Sequence, residues 1–250
     1  TTTTPAATAP LTGSATVTVT PLPTATISGT ATICSGSTTI ISFAGTANAT
    51  VTYTINAGAN QTVMLDATGN ATVTTAALTA NTTYALVSVV GACTATVNGS
   101  AVVTVLPLPT ATIAANTICT GNTGTVTFTG TPNAVVTYTD GTSTQTITLN
   151  ASGNATYTTP VLTANTTYTL VSVATIATPV CTQLQSASAT VIVNQLPVVT
   201  ATPGSATICS ATNTNIVLSS TIIGTTYSWT VVATGVSGAS NSSGDIINQS

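Results

Sequence analysis

The sequence predicts an all-β chain of tandem immunoglobulin-like β-sandwich domains, of the PKD or fibronectin III-like kind, set in an elongated rod. Three observations predict it. The 250 residues repeat themselves with a period of about 87. Each full repeat holds short runs that alternate apolar and polar residues with period two, the mark of half-buried strands. Turn signals such as Thr68-Gly69-Asn70, Asp140-Gly141 and Ser152-Gly153-Asn154 separate those runs, and no segment shows helical periodicity behind a helix cap.

The repeat sets the organisation. Residues 1–20 read as the end of a preceding domain or a linker, with Thr16-Val-Thr-Val-Thr20 as a last strand. A first unit spans 21–106 and a second 107–194, because Pro21-Leu-Pro-Thr-Ala-Thr-Ile27 returns as Pro107-Leu-Pro-Thr-Ala-Thr-Ile113. Leu196-Pro197 marks a third start, so 195–250 reads as an incomplete, PKD-like third repeat. Phe43 matches Phe128, and Tyr53 matches Tyr138 and Tyr227. Late in each full unit, Leu78-Thr-Ala-Asn-Thr-Thr-Tyr84 recurs as Leu162-Thr-Ala-Asn-Thr-Thr-Tyr168.

In the first unit strands are expected near 22–28, 38–43, 49–55, 61–65, 70–76, 82–90 and 95–105. Seven short strands in one unit of this length suit an immunoglobulin-like sandwich. β-branched Thr fits the pleated surface, and cross-strand Thr pairs add a few tenths of a kcal/mol each. Tyr84 and Tyr168, each just inside an apolar strand, are expected to form tyrosine corners, with the hydroxyl bonded back to upstream backbone. The Pro-Leu-Pro seams, with fixed φ and missing N–H groups, imply stiff crossings between units.

Five cysteines follow the repeat. Cys34 recurs as Cys119 and Cys209, and Cys93 recurs as Cys181. Matching positions in each unit, with no His and no CxxC spacing, favour disulfides over a metal. The expected bridges are Cys34–Cys93 and Cys119–Cys181, each clamping one end of its sandwich. Cys209 is left unpaired, and its counterpart of Cys93 is expected beyond the given chain, which reads as a piece of something longer. Each such loop of about 60 residues is worth roughly 4 kcal/mol in the chain-entropy treatment.

Composition excludes much. There is no Lys, Arg or His, and only three acids, Asp66, Asp140 and Asp245, for a net charge of -3. Without cations the chain has no electrostatic grip on nucleic acid or anionic lipid. Without His and with scattered acids, general acid–base catalysis lacks titrating groups at neutral pH, so no enzyme, no catalytic residue and no cofactor are expected. Single carboxylates in separate units do not make a calcium site either. No stretch is long and apolar enough to span a membrane as a helix. Hydrophobic residues are 43% of the chain, the opposite of a disordered composition. Trp229, in Tyr227-Ser-Trp229-Thr, reads as the core aromatic of a divergent unit.

Pro-Leu-Pro-Thr-Ala-Thr-Ile, Ile-Cys-Ser/Thr-Gly, Leu-Thr-Ala-Asn-Thr-Thr-Tyr and Tyr-Ser-Trp-Thr-Val together resemble the repeats of giant surface adhesins of gliding Bacteroidetes. The resemblance covers residues 13–250. It implies export by the type IX secretion system and display on the outer surface of a Gram-negative cell. The partners it implies are the outer-membrane secretion and gliding machinery and an external surface or polysaccharide. On this reading the chain is a structural stalk segment acting in surface adhesion and gliding. Two alternatives stand beside it. One is a polysaccharide-binding module, which would show exposed aromatics. The other is a strand-exchanging extracellular filament subunit, which would show a domain completed by another chain.

Overall fold

A computed structural model describes residues 13–235 and 238–249. Two compact units divide the chain. One takes the residues up to Leu108 together with Ala177–Cys181, and the other takes Pro109–Ile176 and the residues from Thr182 onward.

The first repeat forms nine strands: β1 Ala25–Ser28, β2 Ala31–Cys34, β3 Ile40–Gly45, β4 Thr50–Ile55, β5 Asn60–Met64, β6 Asn70–Thr74, β7 Thr82–Val90, β8 Thr94–Thr96 and β9 Ser100–Leu106. They make two sheets, β1-β3-β6 and β2-β9-β7-β4-β5, with β8 also pairing β7. The expected strands are all present, with one addition and one interruption. The addition is β2. After Gly29 the chain leaves the sheet of β1 and joins β9 in parallel, Ala31 opposite Val103 and Cys34 opposite Leu106. The interruption divides the final strand into β8 and β9 at residues 97–99, where Leu86 still donates its N–H to the Gly99 carbonyl.

The second repeat copies this plan with β10 Ala111–Ala115, β11 Thr117–Cys119, β12 Asn122–Gly130, β13 Val135–Thr139, β14 Thr144–Thr148, β15 Asn154–Leu162, β16 Thr166–Ala174, β17 Thr182–Leu184 and β18 Ser188–Asn194. Its sheets are β10-β12-β15 and β11-β18-β16-β13-β14, with β17 on β16. Each of these two sandwiches is thus closed by strands of its own repeat. The third repeat contributes β19 Val199–Thr202, β20 Ile216–Ser220, β21 Ser228–Trp229, β22 Ser242–Ser243 and β23 Ile246–Ile247, in sheets β19-β20-β23 and β21-β22. The expected strand at 16–20 is not formed. Val17 and Val19 are 84% and 85% exposed, because a strand needs a neighbour and no sheet among the described residues receives this one.

Alternation decides which side chains fill each core. Along β4, Val51 and Tyr53 face inward, and along β13 Val136 and Tyr138 do. The repeated Leu-Val-Ser-Val of β7 and β16 carries a register shift that changes the phase. Tyr84 and Leu86 are buried, then Val89; Tyr168 and Leu170, then Val173. A bulge of this kind leaves the extra residue, Val87 or Val171, outside the alternation. Phe43 packs 5.0 Å from Tyr53, and Phe128 lies 4.8 Å from Tyr138, centroid to centroid.

Threonine and asparagine side chains do the work that charged groups do elsewhere. The Asn81 amide oxygen accepts from the Val105 N–H at 2.8 Å, and Asn165 accepts from Val193 at 2.7 Å. Thr46 and Thr131 hydroxyls accept from the Thr24 and Thr110 N–H groups that begin each repeat. Thr75 and Thr159 accept from Thr39 and Gly124. These bonds explain why Leu-Thr-Ala-Asn-Thr-Thr-Tyr recurs: its Asn ties the start of one strand to the end of its neighbour. At the turn before β6 and β15, Gly69 and Gly153 have φ of +81° and +76°, and an added Cβ would lie 2.2 Å from the carbonyl oxygen of Gly45 or Gly130.

Phe128→Ala is expected to destabilise the second sandwich by about 3–5 kcal/mol. Val161→Ala, at a side chain 61% exposed, should change it by no more than about 0.5 kcal/mol. Urea unfolding followed by tyrosine fluorescence checks both.

Candidate functional site: the cysteines, the acids and the aromatics

The sheet register places each cysteine of the first two repeats at one end or the other of its sandwich. Cys34 closes β2 opposite Leu106, and the following residues bond to Leu78, Gly36 donating to its carbonyl at 2.8 Å. This is the end at which β7 begins. Cys93 follows the other end of β7, in the connection to β8, where Gly91 donates to the Cys93 carbonyl. Nine residues of β7 stand between, about 26 Å at the rise of a strand. A disulfide needs Cα atoms within about 7 Å. Cys34 and Cys93 are therefore not a pair, contrary to the expectation from the repeat.

The second repeat corrects the other bridge for the same reason. Cys119 ends β11 opposite Asn194, at the end where β16 begins. Cys181 immediately precedes β17, whose Thr182 stands opposite Ala174 at the far end of β16. The bond that does form joins Cys34 to Cys181, with Cα atoms 5.5 Å apart and a sequence separation of 147. Ala177–Cys181, although it lies between β16 and β17 in sequence, belongs to the first compact unit. Cys93, Cys119 and Cys209 are thiols, Cys93 half-buried and the others exposed. In the chain-entropy treatment, closing the longer loop is worth about 5 kcal/mol.

Tyr84 and Tyr168 are buried core aromatics rather than tyrosine corners. Each is the third residue of its strand and faces inward with the alternation, 6.4 Å from the ring of Tyr53 or Tyr138. Among the described residues, neither hydroxyl makes the backbone bond that a corner requires. Burial raises both phenol pKa values above the ordinary 10, and burial followed by the Tyr157 neighbour pushes Tyr138 up to about 12.

Two of the three acids are spent on turns. Asp66 Oδ1 accepts from the Asn70 N–H at 2.9 Å, the Thr68 hydroxyl at 2.7 Å and the Thr68 N–H at 2.8 Å, which holds its carboxyl below the ordinary 3.8. In the second repeat the uncharged Asn150 fills that role, accepting from Ser152 and Asn154 at 2.9 and 3.0 Å. Asp140 Oδ1 accepts from the Ser143 N–H, the Thr142 hydroxyl and the Thr142 N–H, and these bonds bring its carboxyl down to about 2. Among the described residues no three metal-ligating side chains gather, and no helix is long and apolar enough to cross a membrane.

The third repeat carries a groove among its described residues. It has a volume of ≈ 400 Å³ and is lined by Thr225, Thr226, Tyr227, Ser243, Gly244 and Asp245. Trp229 is half-buried nearby in sequence, and its indole N–H is buried with no acceptor.

No family model matches the chain, and no curated protein matches it. Solved structures resemble it only at low identity and with TM-scores below 0.5. A marsupial T cell receptor has 13% identity over 91% of this chain and 92% of its own, with a TM-score of 0.43. A three-Ig titin variant has 14% identity over 91% and 86%, also at 0.43. A 1.5-MDa bacterial ice-binding adhesin has 14% identity over 79% and 76%, at 0.36. The chain is an all-β protein of tandem immunoglobulin-like sandwiches.

The pKa directions set a pH window. A carboxylate held low in the fold stabilises above its unfolded value near 3.8 and loses that as pH falls toward about 2. A phenol held high stabilises below pH 10 and loses that as pH rises toward about 12. The urea midpoint is therefore expected to stay level between about pH 5 and 9 and to fall outside it. Asp140→Asn should keep the turn, as Asn150 does, and flatten part of the acid-side fall. A midpoint that peaks sharply near neutrality would contradict this.

Proposed function

We propose that this chain is a stalk segment of a long cell-surface adhesin, with no enzymatic activity of its own. The observation that carries the reading is where the aromatics go. Of two Phe, six Tyr and one Trp, both Phe and Tyr53, Tyr84, Tyr138 and Tyr168 are buried, and Tyr157, Tyr227 and Trp229 are half-buried. Side chains that could stack on a sugar are used to fill sandwiches. The strands of the first two repeats complete their own sheets, which favours a stalk over a strand-exchanging subunit. A disulfide favours an oxidising, extracellular setting. The resemblance of the repeats to gliding Bacteroidetes adhesins adds the finer proposal: export by type IX secretion, anchorage to the outer surface and a part in gliding.

A second reading rests on the groove beside Tyr227, whose lining sets a tyrosine beside hydroxyl- and carboxylate-bearing residues, the combination a glycan subsite uses. A glycan array probed with the full chain separates the two. The stalk reading expects no saturable binding. Saturable binding of one polysaccharide that Tyr227→Ala abolishes would replace the stalk with a binding module. Antibody labelling of intact cells that carry the gene should stain their surface, and staining only after lysis would contradict surface display.

A further inference from the structure

The Cys34–Cys181 bond joins cysteines of two different types. Cys34 is the early cysteine of the first repeat, at the end of its sandwich where β9 finishes. Cys181 is the late cysteine of the second repeat, on the segment before β17. The other two cysteines of these repeats are the remaining members of the same two types. Cys119 is an early cysteine, the register twin of Cys34: Cys34 stands opposite Leu106 and Cys119 opposite Asn194, the last residues of β9 and β18. Cys93 is a late cysteine, the twin of Cys181: both lie in the connection after the long strand that pairs β4 or β13, before the short strand that folds back on it. Both are thiols, and both sit too far from their own repeat's other cysteine to bond it.

We propose that Cys119 and Cys93 are the two open halves of a serial staple, in which the early cysteine of each repeat bonds the late cysteine of the repeat that follows. Cys119 takes the late cysteine of a following repeat of this kind, and Cys93 takes the early cysteine of a preceding one. The partner is thus another disulfide-competent repeat, recognised by its cysteine type and by the end of the sandwich where that cysteine stands. Closing each staple removes two protons and two electrons from two thiols. One thiolate attacks an oxidised dithiol carrier, the second thiolate resolves the mixed disulfide, and the carrier leaves as the dithiol. In such a series no cysteine of a full repeat stays single, and neither Cys93 nor Cys119 has to be read as a reactive thiol.

The repeats themselves supply the partner for a test. A chain of residues 1–194 followed by residues 21–250 keeps the seam in frame, since Pro21-Leu-Pro23 then follows Asn194 as Pro107-Leu-Pro109 follows Leu106. It is produced in an oxidising compartment, alkylated without reduction, and digested with a protease that cuts at aromatic and aliphatic residues. The expected result is a linked peptide joining Cys119 of the first copy to Cys93 of the second, with both lost from the alkylated fraction. Cys119→Ser should return that second Cys93, and only it, to the alkylated fraction while both Cys34–Cys181 bonds persist. In the unduplicated chain Cys93 and Cys119 should both be alkylated. Full alkylation of Cys119 in the duplicated chain, or its linkage to Cys181 of its own repeat, overturns the proposal.

Discussion

The length of one strand governs the covalent organisation of this protein. β7 and β16 each run nine residues from one end of a sandwich to the other, and each of these two repeats places one cysteine at either end. A bond of fixed reach does not cross that span, so each of these four cysteines has to look outside its own sandwich for a partner. The hydrophobic alternation that builds the strand thereby also sets the disulfide connectivity. A bulge or a shorter strand would alter both.

For the proposed stalk the consequence is mechanical. Tension applied along the chain reaches Cys34 and passes through sulfur to Cys181, bypassing the 147-residue separation between them. At the reach of an extended chain, that shelters about 500 Å of length. Inside the shelter lie most of the first sandwich and β10 to β16. The noncovalent part of the structure relies on uncharged side chains. Thr hydroxyls and Asn amides satisfy strand ends and turns, and where the first repeat uses Asp66 the second uses Asn150 for the same bonds. Charge is dispensable in such turns, and a chain with almost none can still satisfy its backbone.

Much of the fold was legible in the residues. The period, the alternating runs and the recurring Phe and Tyr positions identified the sandwiches and most of their cores. β2 was not legible, because Ala31–Cys34 is four residues with little apolar pattern, and it forms only where β9 offers a parallel edge. The division of the last strand at residues 97–99 and the isolation of Val17 and Val19 likewise depend on neighbours rather than local sequence. The cysteine pairing failed for a clearer reason. Repetition shows which cysteines are equivalent, and equivalence suggested a bridge within each unit. It does not show at which end of the sandwich each one stands. That information lies in the sheet register. Tyr84 and Tyr168, expected as corners, are turned inward by strand alternation, and among the described residues neither hydroxyl bonds back to the backbone.

The Cys34–Cys181 bond carries this organisation, and disulfide mapping of the oxidised, unreduced 250-residue chain tests it most directly. The predicted result is a linked peptide pair containing Cys34 and Cys181, with Cys93 and Cys119 recovered as alkylated thiols. A linked pair containing Cys34 and Cys93 would contradict it, and with it the placement of the two cysteines at opposite ends of the first sandwich.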